Sequence, residues 1–135
     1  INPKPCNGLF LKNTKGEILL IKRRLAPDKG KWDVPGGFVD LDENVEESAI
    51  REAKEELQAD ITDVTYLASY TDTYNFQGMN YPTLVFMLSA TIQTSELQAS
   101  DDAEEYRFFP PDEIPWDDLA FTFLQTALKD FLGNK

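Results

Sequence analysis

GGFVDLDENVEESAIREAKEEL, residues 36–57, opens on two glycines and sets three glutamates, Glu52, Glu55 and Glu56, almost side by side in a chain whose net charge is already −11. Asn44 followed three residues later by Glu47 has the form of an N-cap with a reciprocal carboxylate, which predicts a helix from Val45 to about Leu57. At about 100° per residue, with Glu52 at zero, Glu56 falls at about 40°, Ser48 at about −40° and Glu55 at about −60°. Ala49, Ile50, Ala53 and Leu57 cover the arc from about 60° to about 160° and are the expected buried stripe, with Arg51, Lys54 and Glu47 on the solvated side.

The acids on this helix differ in their neighbours. Glu47 has Arg51 at i+4, a favourable pair of about 0.2–0.5 kcal/mol, whereas Glu52 has Glu55 at i+3 and Glu56 at i+4, which repel it by a similar amount. Bordering an apolar stripe removes water and strengthens that repulsion. An acidic run on a helix is ordinarily a solvated face. Here, however, a Gly-Gly turn directly before the helix lets backbone carbonyls approach a ligand, and Glu43 stands ahead of the cap within reach of Arg51. Three converging carboxylates without a basic helical neighbour call for a hard divalent cation.

The rest of the 135 residues fits one domain, 41% hydrophobic. CNGLFLKN (6–13) and EILLIKRR (17–24) read as a hairpin across an Asn-Thr-Lys-Gly turn. Residues 25–33 read as a polar loop, 34–39 as a short extended piece, 63–74 and 80–92 as strands joined through NFQGMN, 93–104 as a loop and 104–109 as a strand. Residues 117–132 read as a closing helix, Leu119, Phe123, Ala127 and Phe131 stepping by four along its core face. Mixed strands with two helices point to an α/β or α+β layered domain. The lone Cys6 excludes an internal disulfide and, with no histidine, leaves carboxylates as the natural acid-base groups. The acidic balance argues against nucleic-acid and anionic membrane partners. Apolar runs fall well short of the roughly 20 residues that cross a bilayer, and with no signal-peptide h-region the expected location is cytoplasmic.

As one string, the acidic stretch is Gly37, five residues, Glu43, seven residues, then Arg51-Glu52-Ala53-Lys54-Glu55-Glu56. This resembles the signature of the Nudix hydrolases, G-x5-E-x7-R-E-U-x-E-E-x-G-U with U apolar. Every charged position is filled, and the departure is Gln58 in the final glycine position, which bears on how the helix ends. Residues 2–40 also look like the segment leading into this box in ADP-ribose and NADH pyrophosphatases. AEEYRFFPPDEIP (103–115) resembles the family's late strand and turn.

The resemblance implies a single domain over residues 1–135, an α/β/α sandwich with a mixed β-sheet between helices. It implies Mg²⁺- or Mn²⁺-dependent hydrolysis of a small nucleotide substrate, a nucleoside diphosphate linked to a second group such as ADP-ribose, a dinucleotide or a nucleoside triphosphate. Glu52, Glu55 and Glu56 become the expected metal ligands, with the Gly37 carbonyl a further one. Arg51 and Glu43 become the pair that holds helix and loop in register and orients Glu52. The general base is a carboxylate, Glu52 first, then Glu105 or Glu104. Arg23 and Arg24 are candidates for the substrate phosphates or for a solubilising strand end. Tyr74 and Phe76, with Trp32, Tyr70 and Tyr81, are candidates for stacking on a base or for the core. A homodimer is compatible with the resemblance. A second reading is a non-catalytic nucleotide-sugar sensor on the same fold, against which the complete set of box acids argues. A third reading, an isopentenyl diphosphate isomerase, uses the same fold, and this chain has no cysteine in a comparable active-site motif.

Overall fold

A computed structural model describes residues 2–92, 97, 98, 100 and 103–133. Among the described residues seven strands form one mixed sheet: β1 (Lys4–Lys12), β2 (Ile18–Arg23), β3 (Trp32–Asp33), β4 (Gly36–Phe38), β5 (Ile61–Phe76), β6 (Met79–Ile92) and β7 (Ala103–Phe109). Two helices, α1 (Val45–Leu57) and α2 (Thr122–Phe131), cover its two faces. Alternation along the strands assigns the layers. Leu9, Leu11, Leu19 and Ile21 pack with Ala49, Ala53 and Leu57 of α1, while Phe10, Ile18 and Leu20 pack with Leu124, Ala127 and Leu128 of α2. The result is an α/β/α sandwich. Among the described residues no helix is long and apolar enough to cross a membrane.

The expected hairpin of the first two strands is almost absent, and its opening creates the site. β1 and β2 pair only at Lys12↔Ile18 and then diverge. Residues 32–38 fill the fork: β3 pairs with β2 at Ile21 and Lys22, and β4 pairs with β1 at Cys6, Asn7 and Gly8. The other edge of β1 runs parallel to β6 along its whole length, and β7 closes the far edge of β2. Pro35 is buried at the crotch, where its carbonyl accepts from the Leu9 N–H at 2.9 Å. Asp33, Gly36 and Gly37 thus stand between two strands that the turn chemistry alone would have zipped together.

Other boundaries moved for local reasons. β5 and β6 run through most of NFQGMN to a two-residue turn, Gln77-Gly78, with φ 51° and 78°, the sign that a type I′ turn requires. The closing helix starts at Thr122 rather than 117, because residues Trp116–Asp118 form a 3-10 turn and Leu119 is extended. Residues 93–96, 99, 101 and 102 of the expected loop lie outside the described residues, and Ala103 and Glu104 already belong to β7.

On α1 the capping box is present: Asn44 accepts from the Glu47 N–H and Glu47 accepts from the Asn44 N–H, so Glu47 is engaged at the cap and makes no pair with Arg51. The buried stripe is rotated toward the acids. Ser48 is fully buried while Ile50 is 49% exposed. Asn7 of β1 explains the rotation, since its amide donates to the Ser48 hydroxyl and draws that side of the helix onto the sheet. At the other end Gln58 takes the left-handed conformation, φ 53° and ψ 36°, with the Ala59 N–H reaching the Ala53 carbonyl at 3.2 Å. The helix therefore stops where a glycine would stop it. A non-glycine residue there costs about 1 kcal/mol, so Gln58→Gly is expected to stabilise the protein by up to about 1 kcal/mol in denaturant titration. A loss of stability would show instead that the bond from Gln58 Nε2 to Gln98 Oε1 outweighs the backbone relief.

Candidate active site

α1 delivers its carboxylates to the mouth of the fork, and Arg51 organises them. Its Nη2 meets Glu43 Oε1 at 2.8 Å and the Phe38 carbonyl at 3.1 Å, Nε meets Glu43 Oε2 at 3.1 Å, and Nη1 meets Glu52 Oε1 and Glu55 Oε2, each at 3.0 Å. Glu43 also accepts from the Asp40 N–H at 2.7 Å. One guanidinium thus ties the loop before the helix to the helix itself, a charge-assisted arrangement that fixes orientation. Hydrogen bonding to Arg51 holds the Glu43 carboxyl below its ordinary range, and the same bonds keep Arg51 firmly protonated. The helix acids are therefore not without a basic neighbour: Arg51, expected on the solvated side, serves Glu52 and Glu55 directly.

Glu52 and Glu56 lie within the buried arc and face each other. Glu56 hydrogen-bonds Glu52 and accepts from the Gly36 N–H at 3.1 Å. Burial, then the Glu52 carboxylate, push Glu56 up to about 9, so in the protein alone this pair retains a proton near neutrality. The two glycines have separate tasks. A Cβ on Gly36 would lie 2.2 Å from the Asn7 carbonyl oxygen, so glycine is required where β4 meets β1. A Cβ on Gly37 would lie 2.6 Å from Glu52 Oε1, so glycine there leaves space for the carboxylate.

Glu55 is placed differently from its two neighbours. It lines the same groove, yet its side chain is 60% exposed and turned to Arg51. Among the described residues no three acidic or cysteine side chains converge as a ready-made cluster. The expected trio is thus a half-buried pair, Glu52 and Glu56, with Glu55 at the rim. The donor set still suits a hard divalent cation. It is oxygen throughout, two of its carboxylates are pressed together without a positive charge between them, and the absence of a Cβ at Gly37 keeps that space open.

A groove runs from this mouth through the fork to the opposite sheet face. Arg23, Asp33, Val34, Gly36, Gly37, Phe38 and Tyr74 line both halves. Arg23 is anchored by Asp33 at 3.0 Å and the Pro27 carbonyl at 2.6 Å, with its guanidinium 5.1 Å from the Phe121 ring centre. Tyr74 stands at the joint, its ring 6.1 Å from Phe38 and 6.4 Å from Phe121. Arg24, by contrast, is exposed past the end of β2 and lines neither half. The side chain of Phe76 lies outside the described residues.

Glu105 is on the wrong side of the sheet for proton transfer near Glu52. It pairs with Arg107 at 3.2 Å, and Arg107 lies over Trp32 and Phe109 of the α2-side core. Glu104 is exposed at the β-bulge that shifts the β2–β7 register. Position argues against Glu105 as the base, whereas Glu104 adjoins Ala103, which lines the groove with Glu52, Glu55 and Glu56. Trp32 is a core residue. Two acids that sequence reading missed are in the groove: Asp33, which burial pushes up to about 6 against the opposing pull of Arg23, and Asp72 of β5. Neither sits in a recognisable motif, and only the fork and the β5 register bring them here.

A family model described as the NUDIX domain matches residues 3–130. The ADP-ribose pyrophosphatase of Methanocaldococcus jannaschii is 36% identical over 129 residues, covering 96% of this chain and 72% of that protein. An RNA pyrophosphohydrolase of Erythrobacter litoralis is 26% identical, covering 83% of this chain and 79% of that one. Among solved structures, the MutT NUDIX hydrolase of Burkholderia pseudomallei superposes with a TM-score of 0.81 at 29% identity, covering 96% of this chain and 98% of the other. With the box helix, its arginine clamp and the sandwich fold already in place, these likenesses make the chain a member of the Nudix hydrolase family.

Proposed function

We propose that the protein is a metal-dependent pyrophosphohydrolase that cleaves a nucleoside diphosphate linked to a second group, with ADP-ribose the first substrate to test. The observation that carries this reading is the half-buried Glu52–Glu56 pair, Glu52 held by Arg51 and Glu56 by the Gly36 N–H, at the mouth of a groove that continues past it. The likeness to a relative named ADP-ribose pyrophosphatase supports the substrate class. A divalent ion, Mg²⁺ or Mn²⁺, would be held by Glu52, Glu56, Glu55 and the Gly37 carbonyl, and supplies neutralisation of diphosphate charge and a water acidified toward neutral pH.

The chain's own groups supply the rest. Arg23 stands where the two halves of the groove join and offers its guanidinium to a phosphate oxygen. Water attacks one phosphorus of the diphosphate, the bond from that phosphorus to the bridging oxygen breaks, and two phosphomonoesters leave. Glu52 accepts the water's proton, its carboxylate aimed by Arg51. Arg51 and Glu43 position this base without touching substrate.

The test is turnover of a panel of such compounds with Mg²⁺ or Mn²⁺, the phosphomonoester products read by phosphatase-coupled phosphate release. Cleavage of ADP-ribose or another member supports the proposal. Tight binding of one member with no cleavage of any would overturn it and make the chain a nucleotide sensor.

A further inference from the structure

The half of the groove on the α2 side has a chemistry of its own. Tyr74, Val85, Phe121 and Phe123 make its walls, an apolar slot with flat aromatic faces. On its floor stand Asp72 and Thr83, cross-strand partners on β5 and β6. Tyr70 and Val85, the pair two residues along, show that these side chains face α2. Asp72 is acted on by its burial, by the Thr73 N–H and by the negative charge of Asp28, and no basic side chain is among these influences. Asp72 is partly buried and accepts from the Thr73 N–H, and its remaining acceptor lone pairs are open to a hydrogen-bond donor on whatever enters the slot.

Resting on the proposed hydrolase reading, we infer that this slot holds the base of the nucleotide and that Asp72 selects a purine carrying an exocyclic amino group. The connection to the acidic mouth limits the occupant. Arg23 and Tyr74 line both halves, so a ligand with its diphosphate at Glu52 and Glu56 places a planar group in the slot against the Tyr74 and Phe121 rings. An amino group there donates to the Asp72 carboxylate. A keto oxygen in its place sets lone pairs against a carboxylate, and the site is left with an unpaired acceptor, the situation in which polar pockets discriminate most strongly.

Calorimetric titration with AMP, GMP and IMP tests this without requiring catalysis, because IMP lacks the amino group of each of the other two. AMP or GMP is expected to bind at least about tenfold tighter than IMP, the size of a hydrogen bond to a charged group. Whichever of the two exceeds IMP places the amino group at C6 or at C2 of the ring. In Asp72→Asn, whose amide can donate to a keto oxygen, the gap is expected to close to within about threefold. Equal or tighter binding of IMP by the wild-type protein, no binding of any of the three, or an unchanged gap in the folded variant would overturn the inference; should the variant not fold, the wild-type ratio decides. ADP-ribose hydrolysis measured in parallel separates the two readings. Amino preference without hydrolysis removes the enzyme and keeps the base-reading role of Asp72, and hydrolysis without preference does the reverse.

Discussion

Glu56→Gln is expected to lower the rate of hydrolysis by about 10²–10³-fold, the scale on which removal of one preorganised electrostatic group acts, and at the same time to raise the stability of the ion-free protein. The opposite signs follow from one cause. Glu56 is half-buried against Glu52 and its folded pKa is about 9, far above the ordinary carboxyl value of 4.5. A carboxyl raised on folding contributes stability that is full below its unfolded pKa and lost as pH rises through the folded one. Across that window, from about pH 4.5 to about pH 9, the ion-free fold is progressively weakened by this group. Glutamine mimics the protonated acid. Its amide donates to Glu52, its oxygen accepts from the Gly36 N–H, and no proton has to be kept. Melting temperatures at about pH 8 without divalent ions should therefore be higher for the variant than for wild type, and the difference should shrink near pH 5. A variant with wild-type turnover would remove Glu56 from the site. A variant less stable at the higher pH would show that the half-buried pair is not strained by its charge.

The two adjacent glycines are expected to fail in different ways. Gly37→Ala puts a methyl group 2.6 Å from Glu52 Oε1 and 2.8 Å from its Cδ. The obstacle is the end of a side chain, so the fold can yield by moving Glu52 out of the Arg51 clamp. Activity should drop by about 10²-fold, as displacement of a reacting group by about 1 Å commonly does, while the melting transition changes little. Gly36→Ala instead meets the Asn7 carbonyl at 2.2 Å at a residue with φ of 154°, and backbone cannot swing aside. Clash and strain together should cost about 3 kcal/mol or more, separating β4 from β1. Circular dichroism melts and turnover on the same two proteins check both. Equal stability losses would mean that Gly37 serves the turn rather than the carboxylate.

The box helix was legible because its determinants are local. The cap, the first-turn acid and the i, i+3 and i+4 spacing of Glu52, Glu55 and Glu56 all lie within one continuous segment. Which side of that helix is buried was less legible. Apolarity nominated Ile50, but contact of Ser48 with Asn7, 41 residues earlier, turned the burial toward the acids. That rotation places Glu52 and Glu56 in the groove and leaves Glu55 at its rim. The fork was not legible at all, because the pairing of Gly8 with Gly36 competes with a hairpin turn that looks sufficient on its own. Asp33 and the exclusion of Glu105 follow from the fork and from strand parity, which no motif encodes. Asp72 likewise gains its role only once β5 is registered against β6. That the domain is layered was readable from strands mixed with two helices, whereas the division of the continuously apolar β1 and β2 between the two cores came from packing.

The central proposal is that the Glu52–Glu56 pair, with Glu55 and the Gly37 carbonyl, binds a divalent cation. Its most direct test is calorimetric titration of Mn²⁺ or Mg²⁺ into the wild-type protein and Glu56→Gln at neutral pH, in buffers of different ionisation enthalpy and with and without a diphosphate nucleotide. The expected result is ion binding at millimolar concentration or below, accompanied by release of a proton as Glu56 ionises, and weakened at least about tenfold in the variant. Absence of ion binding in every condition, or binding that is equally tight in Glu56→Gln and releases no proton, would contradict it.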